Sequence, residues 1–448
     1  MFRTRIAAWL VFALLAAPCG AQAQTNFFDT IGALTDGTSL EAQRKSLQAR
    51  GLAYALIYTN AVMGNVTGGL RRTALYEGKL EASVTADLEK LAGWSGLSFY
   101  VNVFQLHHTR GMRDENFNGL VTISNIEAIP ATRLQEYWLE KKFFGERFTI
   151  RFGQLAADSE FFISSYSLPL VTSDWPAITT ANLPSGGPAY PLAAPGIRFR
   201  FDPDPDWTAL FAVFNGDPGQ QGTVNRTGTN FPLKDPPLVM GEVQYRYNQE
   251  KDSRVLAGIV RIGGWHYFGK INDARFDTLG LPLANPLGSG VPRQLRGTSG
   301  LYGIIDQQIY RPKGGGTDSG IGLFSRISVS PSNRSVVDFY LDGGLIFSGF
   351  NSARPDDKIS TGFIYAKFSE SVKGFDLDTI LFTGIPRPVH DYEMIMEANY
   401  MYLVRPGWAL QPFAQYLIHP GGNIPNPAVP GQPIRNGAIF GARSTVNF

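Results

Sequence analysis

The strongest constraint on this chain is an alternation with a period of two residues. Val239, Gly241, Val243, Tyr245 and Tyr247 alternate with Met240, Glu242, Gln244, Arg246 and Asn248. A strand over 239–248 therefore has one apolar and aromatic face and one face filled by charged and amide groups. The period returns at 147–152, 197–201, 337–342 and 392–402, where Phe148, Ile150 and Phe152 oppose Arg147 and Arg151, and Tyr400 and Tyr402 share the face opposite Glu393 and Glu397. Period two is the dominant signal, and it predicts strands.

About sixteen strands are predicted, near 51–62, 71–86, 95–107, 134–142, 146–156, 195–202, 206–215, 237–249, 256–268, 299–310, 318–329, 334–347, 358–369, 389–403, 408–418 and 436–448. The connections arbitrate between a soluble sandwich and a membrane barrel. On one side run the mostly long segments 63–70, 108–133, 157–194, 216–236, 269–298, 370–388 and 419–435, with 330–333 short; on the other are brief turns such as 143–145, 202–206 and 405–407. Long outer loops with short periplasmic turns belong to an outer-membrane barrel, whereas a sandwich has no reason to sort its loops. Aromatics on the outward face, among them Tyr54, Tyr58, Phe99, Tyr137, Trp408 and Tyr416, fit interfacial girdles. The fold class is thus all-β: a transmembrane antiparallel barrel of about sixteen strands over 51–448, preceded by a short periplasmic helical segment at 24–50. There Thr38 and Glu41 form a candidate capping box and Gly51 is placed to end the helix.

Residues 1–23 read as a secretory signal peptide. Arg3 and Arg5 precede an apolar run from Ile6 to Ala17, and Ala21-Gln22-Ala23 supplies small residues for cleavage. The run falls short of the roughly twenty residues of a spanning helix. The sole cysteine, Cys19, lies inside it, and Pro18 and Ala16 disfavour a lipoprotein site there. Export removes Arg3 and Arg5 from 40 basic residues, leaving 38 against 38 acidic ones. A neutral chain excludes the basic footprint of a nucleic-acid partner, and one without cysteine excludes disulfides and thiolate chemistry. No later stretch approaches 18 apolar residues, so any membrane crossing is by strands. The final strand carries Phe440, Ala442 and Val446 outward and Arg443 inward and stops on Phe448, which fits a recognition signal for the barrel-assembly machinery.

The segments between strands are distinctive. Residues 87–91, 93–96, 124–128, 153–162 (GQLAADSEFF), 183–191 (LPSGGPAYP), 228–231, 247–251, 306–308 and 419–422 are similar to the carbohydrate-selective porins of the OprB type. The resemblance spans about 51–448 and implies a sixteen-stranded outer-membrane barrel that passes monosaccharides, glucose especially, down their gradient.

By parity the lumen receives Glu77, Lys79, Glu81, Glu136, Glu140, Arg147, Arg151, Arg198, Arg200, Glu242, Arg246, Arg261, Arg326, Asp338, Asp342, Glu393, Glu397 and Arg443. Both signs are present in similar number, which suits neutral sugars better than ions. The loop 157–194 follows the fifth strand and is stiffened by prolines, so it is expected to fold inward as the constriction. Trp175 with Asp158, Glu160, Arg198 and Arg200 is the candidate sugar platform, with Arg261 and Trp265 next. The expected partners are neutral sugars, outer-membrane lipid and the assembly machinery; nothing calls for a cofactor. The alternatives are a non-selective general porin, an outer-membrane hydrolase or a passive structural barrel. Asp158 and Glu160 lie on one side of an extended segment and do not straddle a glycosidic bond. The five histidines show no metal spacing, and outward His266 has no nucleophile motif beside it.

Overall fold

The computed structural model describes residues 39–448 except 173–174, 251–254, 317–318 and 352. The expected signal peptide and the Thr38 cap lie outside the described residues. Among the described residues sixteen strands close into one antiparallel barrel. They are β1 Leu52–Asn65, β2 Ala74–Asp87, β3 Leu97–His108, β4 Ala131–Phe143, β5 Phe148–Leu155, β6 Ala194–Phe201, β7 Trp207–Asn215, β8 Pro237–Tyr247, β9 Gly258–Asp277, β10 Pro292–Tyr310, β11 Gly320–Val329, β12 Val337–Ser348, β13 Lys358–Phe368, β14 Tyr392–Arg405, β15 Trp408–Ile418 and β18 Gly437–Asn447. A small hairpin, β16 Pro425–Asn426 and β17 Val429–Pro433, lies outside the wall. Closure comes from β1 against β18, in register from Ile57 opposite Asn447 to Asn65 opposite Ile439.

The alternation becomes two surfaces. On β8, Leu238, Met240, Glu242 and Gln244 are buried inside, while Val243 and Tyr245 are exposed outside. Ile262, Leu301, Ile327, Ile359, Met396 and Phe440 are exposed on the same outer wall. An apolar belt of this extent is a lipid contact. No described helix is long and apolar enough to cross a membrane.

Helix α1, Ser39–Ala49, precedes the barrel, ends before Gly51 at φ +94°, and sends Arg44 to the Phe448 and Tyr54 carbonyls at 3.3 and 3.4 Å. Helix α2, Leu88–Ala92, fills the turn after β2, capped by Asp87, which accepts from the Glu89 and Lys90 amides at 3.1 and 3.2 Å.

Two long connections differ from the sequence reading. The segment 269–298 is not a loop but the top of a long hairpin, since β9 runs to Asp277 and β10 starts at Pro292. Its tip is closed by Asp277, whose carboxylate accepts the amides of Leu279, Leu281 and Ser289 at 2.9, 2.8 and 2.6 Å. The segment 370–388 contains helix α4, Glu370–Thr383, with Ser369 capping the Val372 amide and Gly384 in the left-handed region at φ +68°. Arg275 on β9 fastens it through Asp378 at 2.7 and 2.9 Å. The remaining short helix, α3, Ala177–Asn182, lies in the segment between β5 and β6.

The core sits inside the barrel. Two connections, 109–130 between β3 and β4 and 156–193 between β5 and β6, turn into the lumen. Met112, Phe117, Val121 and Ile123 of the first and Phe161, Phe162, Val171 and Ile178 of the second pack with Met240, Trp265, Tyr302 and Phe413 of the wall. Only the second was expected to fold inward.

Candidate functional site

The wall carboxylates hold these two loops by their backbone. Glu397 accepts the Val171 and Thr172 amides at 2.7 and 2.8 Å. Glu393 accepts Leu120 at 2.9 Å, Val121 at 2.5 Å and also the Gly421 amide. Glu136 takes Ala156 at 2.9 Å, Glu242 takes Phe162 at 3.0 Å, and Asp306 takes Ser165 at 2.9 Å. Charge-assisted bonds of this kind are about twice as strong as neutral ones. Phe162 is gripped on both sides, since Arg326 donates to its carbonyl at 3.1 Å while its ring stacks on Tyr302 at 4.0 Å. It holds φ +62°, a conformation that costs about 1–3 kcal/mol for a bulky residue and persists where the surroundings fix it.

A charged belt lies along the inner wall of β4, β5 and β6 at the base of the second loop, where Glu140 stands opposite Arg151 and Arg151 opposite Arg198. Glu160 lies between Arg151 at 2.6 Å and Arg198 at 2.7 Å, and Glu140 on β4 accepts from the same two arginines at 3.0 and 2.6 Å. Arg151 also lies 3.9 Å over the Trp138 ring. Two carboxylates and two guanidiniums leave no net charge. Burial alone would raise the Glu160 carboxyl, but Arg151 and Arg198 beside it hold it below its ordinary value. Glu160 therefore stays ionised and the belt intact at neutral pH.

Below the belt Arg200 pairs with Asp202 at 2.6 Å, and Arg246 donates to Thr208 and Gln244, both at 2.9 Å. Near the inner mouth of the first loop Lys79 pairs with Glu81 at 3.0 Å. Its ammonium lies 4.8 Å from the Phe104 ring centre and 5.2 Å from that of Tyr190. Tyr190 bridges the two loops: its amide donates to Asp158 at 2.8 Å and its hydroxyl to the Ile126 carbonyl at 2.8 Å. Lys79, Glu81 and Tyr190 are half-buried, so this group keeps an open face that the belt lacks.

The expected site residues separate accordingly. Glu160 and Arg198 meet, with Arg200 one rung away and Asp158 acting on Tyr190. Trp175 is not an open platform: it is 6% exposed and packs edge-on against Phe162 at 6.3 Å, because the loop turns its apolar side to the wall. Trp265 is buried over Gly300, where a Cβ would come within 2.6 Å of the indole. Arg261 pairs with Asp306 at 2.7 Å and Arg326 with Asp342, so these serve the wall and the loop. Arg443 donates to Ser124 at 3.2 Å on the first loop. Arg147 is exposed in the turn between β4 and β5, below the lumen. Asp338 sits at a register break between Val337 and Phe339 and pairs with Lys367 at 3.3 Å on the outer rim, so simple parity misplaces it. Phe104 and Tyr190 were missed as a pair, and no residue pattern on either segment announces their meeting.

With this geometry in view, residues 71–448 match the carbohydrate-selective porin family OprB. Porin B of Pseudomonas aeruginosa is 23% identical over 398 residues, covering 85% of this chain and 86% of that protein. The high-pH structure of Pseudomonas putida OprB superposes with a TM-score of 0.78 at 20% identity, covering 93% of this chain and 99% of that one. The low-pH structure of the same protein gives 0.55 at 16% identity, covering 92% and 98%. The chain belongs to the OprB family of carbohydrate-selective porins and forms a β-barrel channel of the bacterial outer membrane.

Proposed function

We propose that this porin passes neutral monosaccharides, glucose among them, by facilitated diffusion down their gradient. The observation that carries the reading is the half-open group of Lys79, Glu81, Phe104 and Tyr190. The accessible part of the Tyr190 ring receives the C–H side of a sugar ring, while the ammonium lying over the two rings and the Glu81 carboxylate paired with it exchange hydrogen bonds with the hydroxyls. The neutral belt beside it adds no net field to favour ions. A hydrolase is disfavoured, because Glu160 is held ionised by two arginines and has no proton to give as a general acid.

Tyr190→Ala is expected to weaken block of the ion current by glucose by about two- to fivefold, as loss of an aromatic contact of about 0.5–1 kcal/mol implies. Unchanged block in planar bilayers, with conductance also unchanged, would move the sugar path away from Tyr190. Two further partners belong to this reading: outer-membrane lipid around the apolar belt, and the barrel-assembly machinery, which Phe448 is proposed to address. Deleting Phe448 should lower the amount of folded barrel in the outer membrane, and normal levels at native expression would count against that role.

A further inference from the structure

We propose that the outward rim of the β9–β10 hairpin is a binding site for the phosphate groups of a phosphorylated membrane glycolipid. Lys270 on β9 stands directly opposite Arg296 on β10 in the strand register, and both are exposed. Like charges in directly opposed positions destabilise a strand pair. A third cation, Arg334, reaches the same place: its guanidinium donates to the Arg296 and Gly297 carbonyls at 3.1 and 3.3 Å. Among the described residues no carboxylate forms an ion pair with any of the three. Two neighbouring cations are supplied differently: Lys367 has Asp338 and Glu370 at 3.3 and 3.1 Å, and Arg293 has Asp273 at 2.6 Å. Three cations gathered on one rim with no carboxylate paired to them can receive an external anion.

Position selects the source of that anion. Along β9 the outward residues below Lys270 are Phe268, His266, Gly264 and Ile262, and across from them Leu301 is exposed on β10. His266 and Phe268 meet edge-on at 4.3 Å, and outward rings above the apolar residues fit the aromatic girdle that flanks a barrel's apolar band. Lys270 is two residues further up the strand, past a register shift between Tyr267 and Lys270, so it stands about 7 Å higher at most, within the headgroup layer of about 5–7 Å. Above it the outward pair is Asn272 and Gln294, hydrogen-bonded to each other and suited to sugar hydroxyls. An amphiphile with chains along Ile262, Leu301 and Phe268, phosphate at Lys270, Arg296 and Arg334, and sugar at Asn272 and Gln294 matches the column in order. Free phosphate would use only its middle.

The test is binding of diphosphoryl lipid A in mixed micelles to the full-length folded porin, followed by native mass spectrometry. The double variant Lys270→Gln, Arg296→Gln should bind about thirtyfold more weakly than the wild type, from about 1 kcal/mol for each basic residue near an anionic lipid surface. Dephosphorylated lipid A should show a comparable loss on the wild type. Lys367→Gln, which removes a rim cation that already has carboxylate partners, should bind normally. Equal binding by wild type and double variant, or an equal loss from Lys367→Gln, would overturn the site. Binding of inorganic phosphate that displaces lipid A at millimolar concentration would overturn the lipid as its ligand. Heat-modifiable gel mobility reports that each variant is folded, and both substituted side chains are exposed, so the fold does not depend on them.

Discussion

Glu397→Ala should open the channel. Its carboxylate is the acceptor for two consecutive loop amides and also receives the Asn399 and Gln415 amide groups at 2.7 and 2.9 Å. Hydrogen bonds to a charged group are worth about 1.5–3 kcal/mol each, so loss of the two loop bonds alone withdraws about 3–6 kcal/mol from docking of the second loop. The loop then leaves the wall near Val171, single-channel conductance rises several-fold, and glucose block falls with it. Glu397→Gln keeps one acceptor oxygen and should give a smaller change. A folded Glu397→Ala barrel with wild-type conductance and wild-type glucose block would mean that Val171 and Thr172 are held by something other than this carboxylate.

Glu160→Gln should change both stability and ion preference. Removing one acid leaves Arg151 and Arg198 with only Glu140 between them, both buried. Breaking a buried ion pair by deleting one partner costs about 3–5 kcal/mol, which should appear as a lower unfolding temperature of the detergent-folded barrel. The belt also gains one positive charge, so the reversal potential in a salt gradient should move toward anion preference. The pH dependence has a fixed sign: the folded-state value of Glu160 lies below its ordinary 4.5, so its contribution is present above that pH and is lost as pH falls through the lowered value. The stability gap between variant and wild type should therefore close in acid. A gap that persists when the carboxyl is protonated, or an unchanged reversal potential, would remove Glu160 from the belt's charge balance.

The wall was legible in the sequence because lipid imposes one rule on every outward position. Val243, Ile327 and Met396 had to be apolar, and the two-residue period locates each such row. Above the membrane the rule lapses. On β9 and β10 the outward residues become Lys270, Asn272, Gln294 and Arg296, and a paired ladder with two polar faces reads as loop. Helix α4 was hidden for the opposite reason: Asp376 and Asp378 are buried while Leu377 and Leu381 are exposed, which inverts the usual amphipathic reading. At the site, parity brought Arg151 and Arg198 to the lumen, and the inward turn of 157–194 follows from its length and prolines. The burial of Trp175 and the meeting of Phe104 with Tyr190 depend on the path of the loop. That path is set by amides, which every residue except proline carries, so the sequence has no letter for it.

Anchoring through amides has an evolutionary corollary. Val171, Thr172, Leu120, Val121, Ala156 and Phe162 are held by groups that any non-proline residue would present equally well. These bonds survive any non-proline substitution so long as the wall acids remain, while packing still constrains the buried side chains of Val121, Phe162 and Val171; a new cargo preference can be written into the exposed loop positions without rebuilding the loops' course. Grafting the 109–130 or 156–193 segment between distant relatives should then succeed where Glu136, Glu242, Glu393 and Glu397 have acidic counterparts in the host.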